Sequence, residues 1–166
     1  MAGTDYTTIG IGTVLVTYLA GLFIGLSEEL LTRGLVVNLL RRSGHGELTV
    51  MLLSSLIFAL LHSTNIFTGQ PVLTVLVTMA FTFVFGVAMY LTLRVTGNLI
   101  WPVLLHALTD PSTFLATGGI DTEAPATAHP TVALAGLSVW VFVILTVIAL
   151  FLVRDRAASG SREAVR

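Results

Sequence analysis

Glu28, Glu29, Arg33, His62, His106 and Asp110 are polar, ionisable side chains set inside otherwise apolar stretches of a 166-residue chain. Carboxylates and imidazoles are the groups from which ion pairs, proton relays and metal sites are built. Within a bilayer each is costly unless it is paired or turned toward a polar cavity. Helical spacing sorts them. Glu29 and Arg33 are four residues apart with the acid N-terminal to the base, the better order for a pair on one helix face. That pair reads as structural. Glu28 points about 100° away with Thr32 one turn on, so it is the carboxylate left over. His106 and Asp110 share a face in the same way, as do Phe58 and His62.

Depth groups the same residues. Counting from the arginine-bearing ends, Glu28 lies roughly 21 Å in, His62 roughly 22 Å, and His106 and Asp110 roughly 12 and 18 Å, at 1.5 Å per residue. Taken singly, each residue has a bland account. A histidine in a membrane helix can bond a carbonyl, Arg33 has Glu29, and Asp110 precedes Pro111, where it can organise a kink by bonding freed backbone groups. Taken together, with one obvious ion pair among them, they predict a polar cavity shared by three helices.

The elements that must position them are membrane spans. The chain is 55% hydrophobic and 10% charged, with a mean hydropathy of +0.94, whereas a soluble domain averages roughly 25% charged residues. The fold class is therefore all-α, a polytopic transmembrane bundle of about five segments, each needing about 20 apolar residues. The segments are expected at about Thr8 to Leu40, 47 to 67, 71 to 95, 98 to 117 and 131 to 153. The last carries no ionisable residue and reads as a plain lipid-facing span. Turn-rich breaks are expected at "NIFTGQP", "TGN" and "GGIDTEAPATAHP". Residues 1–153 then form one transmembrane domain, and 154–166 a solvated tail.

The first segment is too long for a straight perpendicular span, roughly 50 Å against a hydrocarbon core of about 30 Å. Strong tilt, extension beyond the membrane, or a break near Gly21 to Gly25 is expected. All eight basic residues are arginines, and five alternating crossings put every arginine-bearing flank on one side. The positive-inside rule makes that side cytoplasmic, with the N-terminus outside and the C-terminus inside the cell membrane. A net charge of −1 leaves no footprint for a nucleic acid partner. The absence of cysteine excludes disulfides, thiolate metal sites and a cysteine nucleophile. No basic n-region or small-residue cleavage site marks a signal peptide.

The stretches "SEELLTRG", "SSLIFALLHSTN" and "GNLIWPVLLHALTD" resemble the three motifs of the CPBP family, the CAAX-protease and bacteriocin-processing group also called Abi. That pattern has two glutamates, three residues and an arginine; Phe, three residues and His; then His, three residues and Asn or Asp. It falls here on Glu28-Glu29 with Arg33, Phe58 with His62, and His106 with Asp110, over about residues 20 to 115. The resemblance implies an intramembrane endopeptidase of glutamate type. Its substrate would be a peptide or protein in or at the lipid bilayer, and no cofactor or metal is implied. By that analogy Glu28 is the general base acting on a water also held by His62. His106 and Asp110 stabilise the oxyanion, and Glu29, Arg33 and Phe58 support the site. Desolvation makes a carboxylate a better proton acceptor, and donors aimed at developing charge in a dry site contribute several kcal/mol.

Two features depart from the pattern. The third motif ends in Asp110 rather than Asn. An ionised Asp accepts only, so it is either protonated or serves to orient His106. Eukaryotic members also carry additional N-terminal spans, so the chain is expected to be a minimal catalytic core or a truncated one. Other functions remain open on sequence alone. Glu28, His62, His106 and Asp110 are the types that make a His₂-carboxylate zinc site, although no HExxH occurs. A non-catalytic immunity or scaffold protein would keep the motifs for stability. A proton-coupled transporter would also place Glu and His within spans, but no repeat is evident.

Overall fold

A computed structural model describes residues 10–117 and 130–153. Among these residues every regular element is a helix. The helices are α1 (Ile11–Arg42), α2 (Glu47–Thr68), α3 (Val72–Thr96), α4 (Ile100–Thr117) and α5 (Pro130–Leu152). The all-α bundle predicted from hydropathy is the fold, and α1, α2 and α3 are each long and apolar enough to cross a membrane. The expected loop at 118–129, the tail at 154–166 and the start of the first segment at Thr8 lie outside the described residues.

Glycines and prolines place the ends. Gly69 and Gly97 take positive φ, 88° and 67°, and close α2 and α3 in the left-handed conformation that a side chain resists. Pro71 precedes α3. Asn98 Oδ1 accepts the Ile100 N–H at 2.9 Å and opens α4. The break after the second segment is shorter than "NIFTGQP" suggests, because α2 tightens to a 3₁₀ helix over His62–Thr68 instead of ending.

α1 does not break at Gly21 to Gly25. It is α-helical over Ile11–Glu29, widens to a π-helix over Leu30–Val36 and returns to α over Val37–Arg42. The two glycines serve contact instead. A Cβ on Gly21 would strike the Pro111 ring, 2.7 Å from Cδ, and one on Gly25 would stand 2.9 Å from the Ala107 nitrogen. Small residues let backbones approach where lipid removes the hydrophobic driving force between helices. α1 and α4 therefore lie in direct contact, and Tyr18 Oη and Ser112 Oγ add a 3.2 Å hydrogen bond to that seam.

At one end of the bundle Glu47 gathers the neighbouring helices. It accepts Arg41 Nε at 2.8 Å and Arg94 Nη1 at 2.9 Å, and Tyr90 donates its hydroxyl to the same carboxylate. The arginines at the ends of α1 and α3 thus share one end, as the alternation of crossings requires. Below this clamp Val37, Met51, Val87 and Tyr90 form an apolar cluster with Ala149 of α5 and Val153 just beyond it. Phe142 of α5 packs on Phe81 and Phe85. The reading of the fifth segment as purely lipid-facing is thereby corrected. One face of α5 is core, while residues such as Trp140, Ile144 and Phe151 remain exposed.

Candidate active site

A cavity of about 280 Å³ opens between the helices, lined by Glu28, Phe58, His62, Asn65, His106 and Asp110 among others. The three helices expected to supply ionisable groups do so, and α3 contributes Thr78, Thr82, Phe81 and Phe85 to the opposite wall. Glu29 and Arg33, 0% and 2% exposed, lie behind the cavity.

The switch from α to π geometry directly after Glu29 shapes this wall. The wider turn closes with a bond from the Val37 N–H to the Thr32 carbonyl, five residues back. Thr32 Oγ1 donates to the Glu28 carbonyl at 2.6 Å and accepts Arg33 Nη1 at 2.5 Å. Arg33 is satisfied in three further directions. Its Nη1 pairs with Glu29 Oε1 at 3.2 Å, its Nη2 donates to the Gly86 carbonyl at 2.7 Å, and its Cζ lies 4.5 Å from the centre of the Phe58 ring. Gly86 has no side chain at that point because none fits: a Cβ would lie 2.9 Å from Arg33 Nη2 and 3.3 Å from the Ser55 Cα.

The Glu29–Arg33 pair expected from spacing is present, and it reaches further than the spacing indicates. Glu29 Oε1 also lies 3.0 Å from His106 Nδ1 on α4. His106 Nε2 lies 3.1 Å from Asp110 Oδ2, the contact predicted by their four-residue separation, and 3.7 Å from Glu28 Oε2. Protons must occupy both short nitrogen–oxygen contacts, since each pairs two groups that otherwise only accept. His106 is also fixed in plane by Phe58 and Phe85, whose rings meet it edge-on at 5.6 and 5.2 Å. Asp110 sits inside α4 next to Pro111, which is likewise within the helix.

His62 has a different partner. Its Nδ1 lies 3.1 Å from the Phe58 carbonyl, one turn back, so Nδ1 carries the proton and neutral Nε2 is left as an acceptor toward the cavity. The Glu28 side chain meets this network only through the 3.7 Å approach of His106 Nε2. Its Oε2 is buried and accepts no hydrogen bond from the described residues, although its side chain as a whole is 26% exposed. Spacing marked Glu28 as the spare carboxylate, and the geometry leaves it without a hydrogen bond at that oxygen.

No group of three or more His, Asp or Glu among the described residues is arranged to hold a metal ion. Three neighbours of the site went unread in the sequence, Asn65, Phe85 and Gly86, and Thr32 was read only as lying one turn after Glu28. Phe85 and Gly86 lie in the run "FTFVFGVAM", an apolar pattern broken by Thr82 and the glycine alone.

A family model described as type II CAAX prenyl endopeptidase, Rce1-like, matches residues 10–111, which contain every residue of the three motifs. No curated protein and no solved structure matches the chain.

Proposed function

The chain belongs to the Rce1-like family of type II CAAX prenyl endopeptidases, and from that membership we propose that it hydrolyses a peptide bond of a membrane-associated substrate with a water activated by Glu28. The family is one of membrane proteases, and the apolar helices agree with it. The observation that carries the glutamate mechanism is the contrast between adjacent carboxylates. Glu29 is held through Oε1 by Arg33 and His106 and does not line the cavity, whereas Glu28 lines the cavity and its Oε2 accepts no hydrogen bond from the described residues.

In this reading Glu28 takes a proton from water while His62 Nε2 accepts the water's other proton as a hydrogen bond. The oxygen adds to the scissile carbonyl, and His106 with Asp110 stabilises the oxyanion that forms. The intermediate collapses, and the leaving nitrogen recovers the proton from Glu28. Glu29 and Arg33, with Phe58 beneath them, hold His106 in register. The catalytic unit is residues 1–153, with 154–166 as a solvated tail. The chain sits in the cell membrane with its N-terminus outside and the Glu47 end cytoplasmic, following the arginine distribution.

The test is cleavage by the full chain in proteoliposomes. The probe is a set of internally quenched membrane peptides that includes prenylated CAAX peptides. Glu28→Gln should remove cleavage while leaving the melting temperature in place. Cleavage at the wild-type rate by Glu28→Gln would reject the mechanism.

A further inference from the structure

The cavity contains a neutral donor that the mechanism above does not use. Asn65 lies three residues after His62, where α2 has become a 3₁₀ helix. At three residues per turn, side chains at i and i+3 eclipse. The change of helix type therefore lines Asn65 up with His62, about 6 Å further along the axis at 2.0 Å per residue. Both border the same cavity as Glu28, His106 and Asp110.

The protons facing this cavity are largely committed. His62 spends its Nδ1 proton on Phe58. His106 has a carboxylate on each nitrogen, Glu29 and Asp110. The Thr82, Thr109 and Thr113 hydroxyls donate to their own helix carbonyls, those of Met79, Leu105 and Thr109, at 3.2, 2.8 and 3.0 Å. Asp110, when ionised, only accepts. Two lining donors make no hydrogen bond among the described residues: the Thr78 hydroxyl and the Asn65 carboxamide. A threonine hydroxyl can turn back onto its own helix, as the other three do. An amide presents two N–H groups that must find partners elsewhere.

We propose that Asn65 donates its carboxamide N–H to the scissile carbonyl oxygen as that oxygen becomes an oxyanion, adding a neutral amide donor to the His106–Asp110 pair. This rests on the Glu28 mechanism. Glu28 removes a proton from water, the water oxygen bonds the carbonyl carbon, and the carbonyl π pair moves to oxygen. Asn65 bonds that oxyanion. When the pair returns, the carbon–nitrogen bond breaks and the amine leaves with the proton from Glu28. Water and peptide give acid and amine, with Asn65 unchanged.

The experiment measures kcat and KM for the peptide whose cleavage depends on Glu28, with melting temperatures alongside. Loss of one oxyanion donor lowers kcat by about 10²–10³. Asn65→Ala should show that loss with KM within about twofold, since the interaction is made in the transition state alone. Asn65→Asp keeps shape but removes the donor and should lose as much, which decides the matter if the alanine variant does not fold. In an Asp110→Asn background a second amide is present, so the Asn65→Ala penalty should be about tenfold smaller. Unchanged kcat in Asn65→Asp, a loss confined to KM, an undiminished penalty in the Asp110→Asn background, or the same kcat loss from Thr78→Val would overturn the proposal. If Glu28→Gln itself still cleaves, the underlying mechanism falls instead, so the two failures are distinguishable.

Discussion

Glu29→Gln separates bracing from chemistry on a single helical turn. The Glu29 side chain is 0% exposed, and its Oε1 receives Arg33 Nη1 at 3.2 Å and His106 Nδ1 at 3.0 Å. Glutamine keeps an oxygen of the same reach but loses the charge. A hydrogen bond to a charged group contributes about 1.5–3 kcal/mol and a neutral one about 0.5–1.5. Two weakened bonds therefore cost about 2 kcal/mol. Arg33 keeps Thr32 Oγ1 and the Gly86 carbonyl, so the guanidinium is not stranded. Glu29→Ala removes the partner outright, at about 3–5 kcal/mol. For a chain of this size 1 kcal/mol moves the melting temperature by about 2–4 °C. The glutamine variant should melt about 4–8 °C low, and the alanine variant lower still. Glu28→Gln should melt within about 1 °C of the wild type, because no hydrogen bond to its buried oxygen is lost. Tryptophan fluorescence during heating in detergent, with cleavage measured on the same samples, reads both quantities. If Glu29→Gln melts with the wild type, or Glu28→Gln falls as far as Glu29→Gln, the division of labour is wrong.

The remaining expectations follow from single contacts. Gly86→Ala drives a Cβ against Arg33 Nη2 and the Phe58 ring, an overpacking worth about 1–3 kcal/mol, and should lower both melting temperature and cleavage; an unaltered melt refutes it. Gly21→Ala meets the Pro111 ring and the Ala107 carbonyl, so it should loosen the α1–α4 seam and reduce stability, whereas Gly12→Ala, with open space around its Cβ, should not; equal melts would show the seam to be slack. Glu47→Gln weakens a half-exposed arginine cluster by about 1 kcal/mol. Its deficit should shrink as salt is raised, and a salt-independent deficit would point to packing instead. Asp110→Asn preserves an oxygen for His106 Nε2 and should cleave at least about tenfold faster than Asp110→Ala, which leaves the imidazole without that partner; equal rates would mean that the His106–Asp110 contact is incidental.

What the sequence made legible was what depends on spacing along one helix. Residues four apart face the same way, so the Glu29–Arg33 and His106–Asp110 contacts follow from their separation alone. The shared cavity followed from depth, because costly groups at similar height in separate helices have a common way of being satisfied. Contacts between helices were not legible. The reach of Glu29 to His106, and of Arg33 to a backbone carbonyl on α3, depends on how close α1, α3 and α4 approach. That closeness rests on glycines, and a glycine in an apolar run has several meanings. A break near Gly21 to Gly25 is one of three expectations the length of the first segment raises, but these glycines are where α1 meets α4 closely.

The other unreadable feature was helix type. Apolar periodicity reports a turn of 3.6 residues and does not mark where the turn widens or tightens. Both departures from α geometry fall beside the cavity: the π segment begins directly after Glu29, and the 3₁₀ segment begins at His62. Each changes which side chains meet. Within the wide segment the Thr32 hydroxyl donates to the Glu28 carbonyl and accepts Arg33, so the backbone that carries the spare glutamate is tied to the ion pair behind it. The tight turn lines Asn65 up with His62. A regular α-helix at either place would have kept the motif residues and altered their neighbours. The three motifs therefore locate the chemistry, but the local winding selects the groups that surround it. Asn65, outside every motif position, stands beside His62 for that reason.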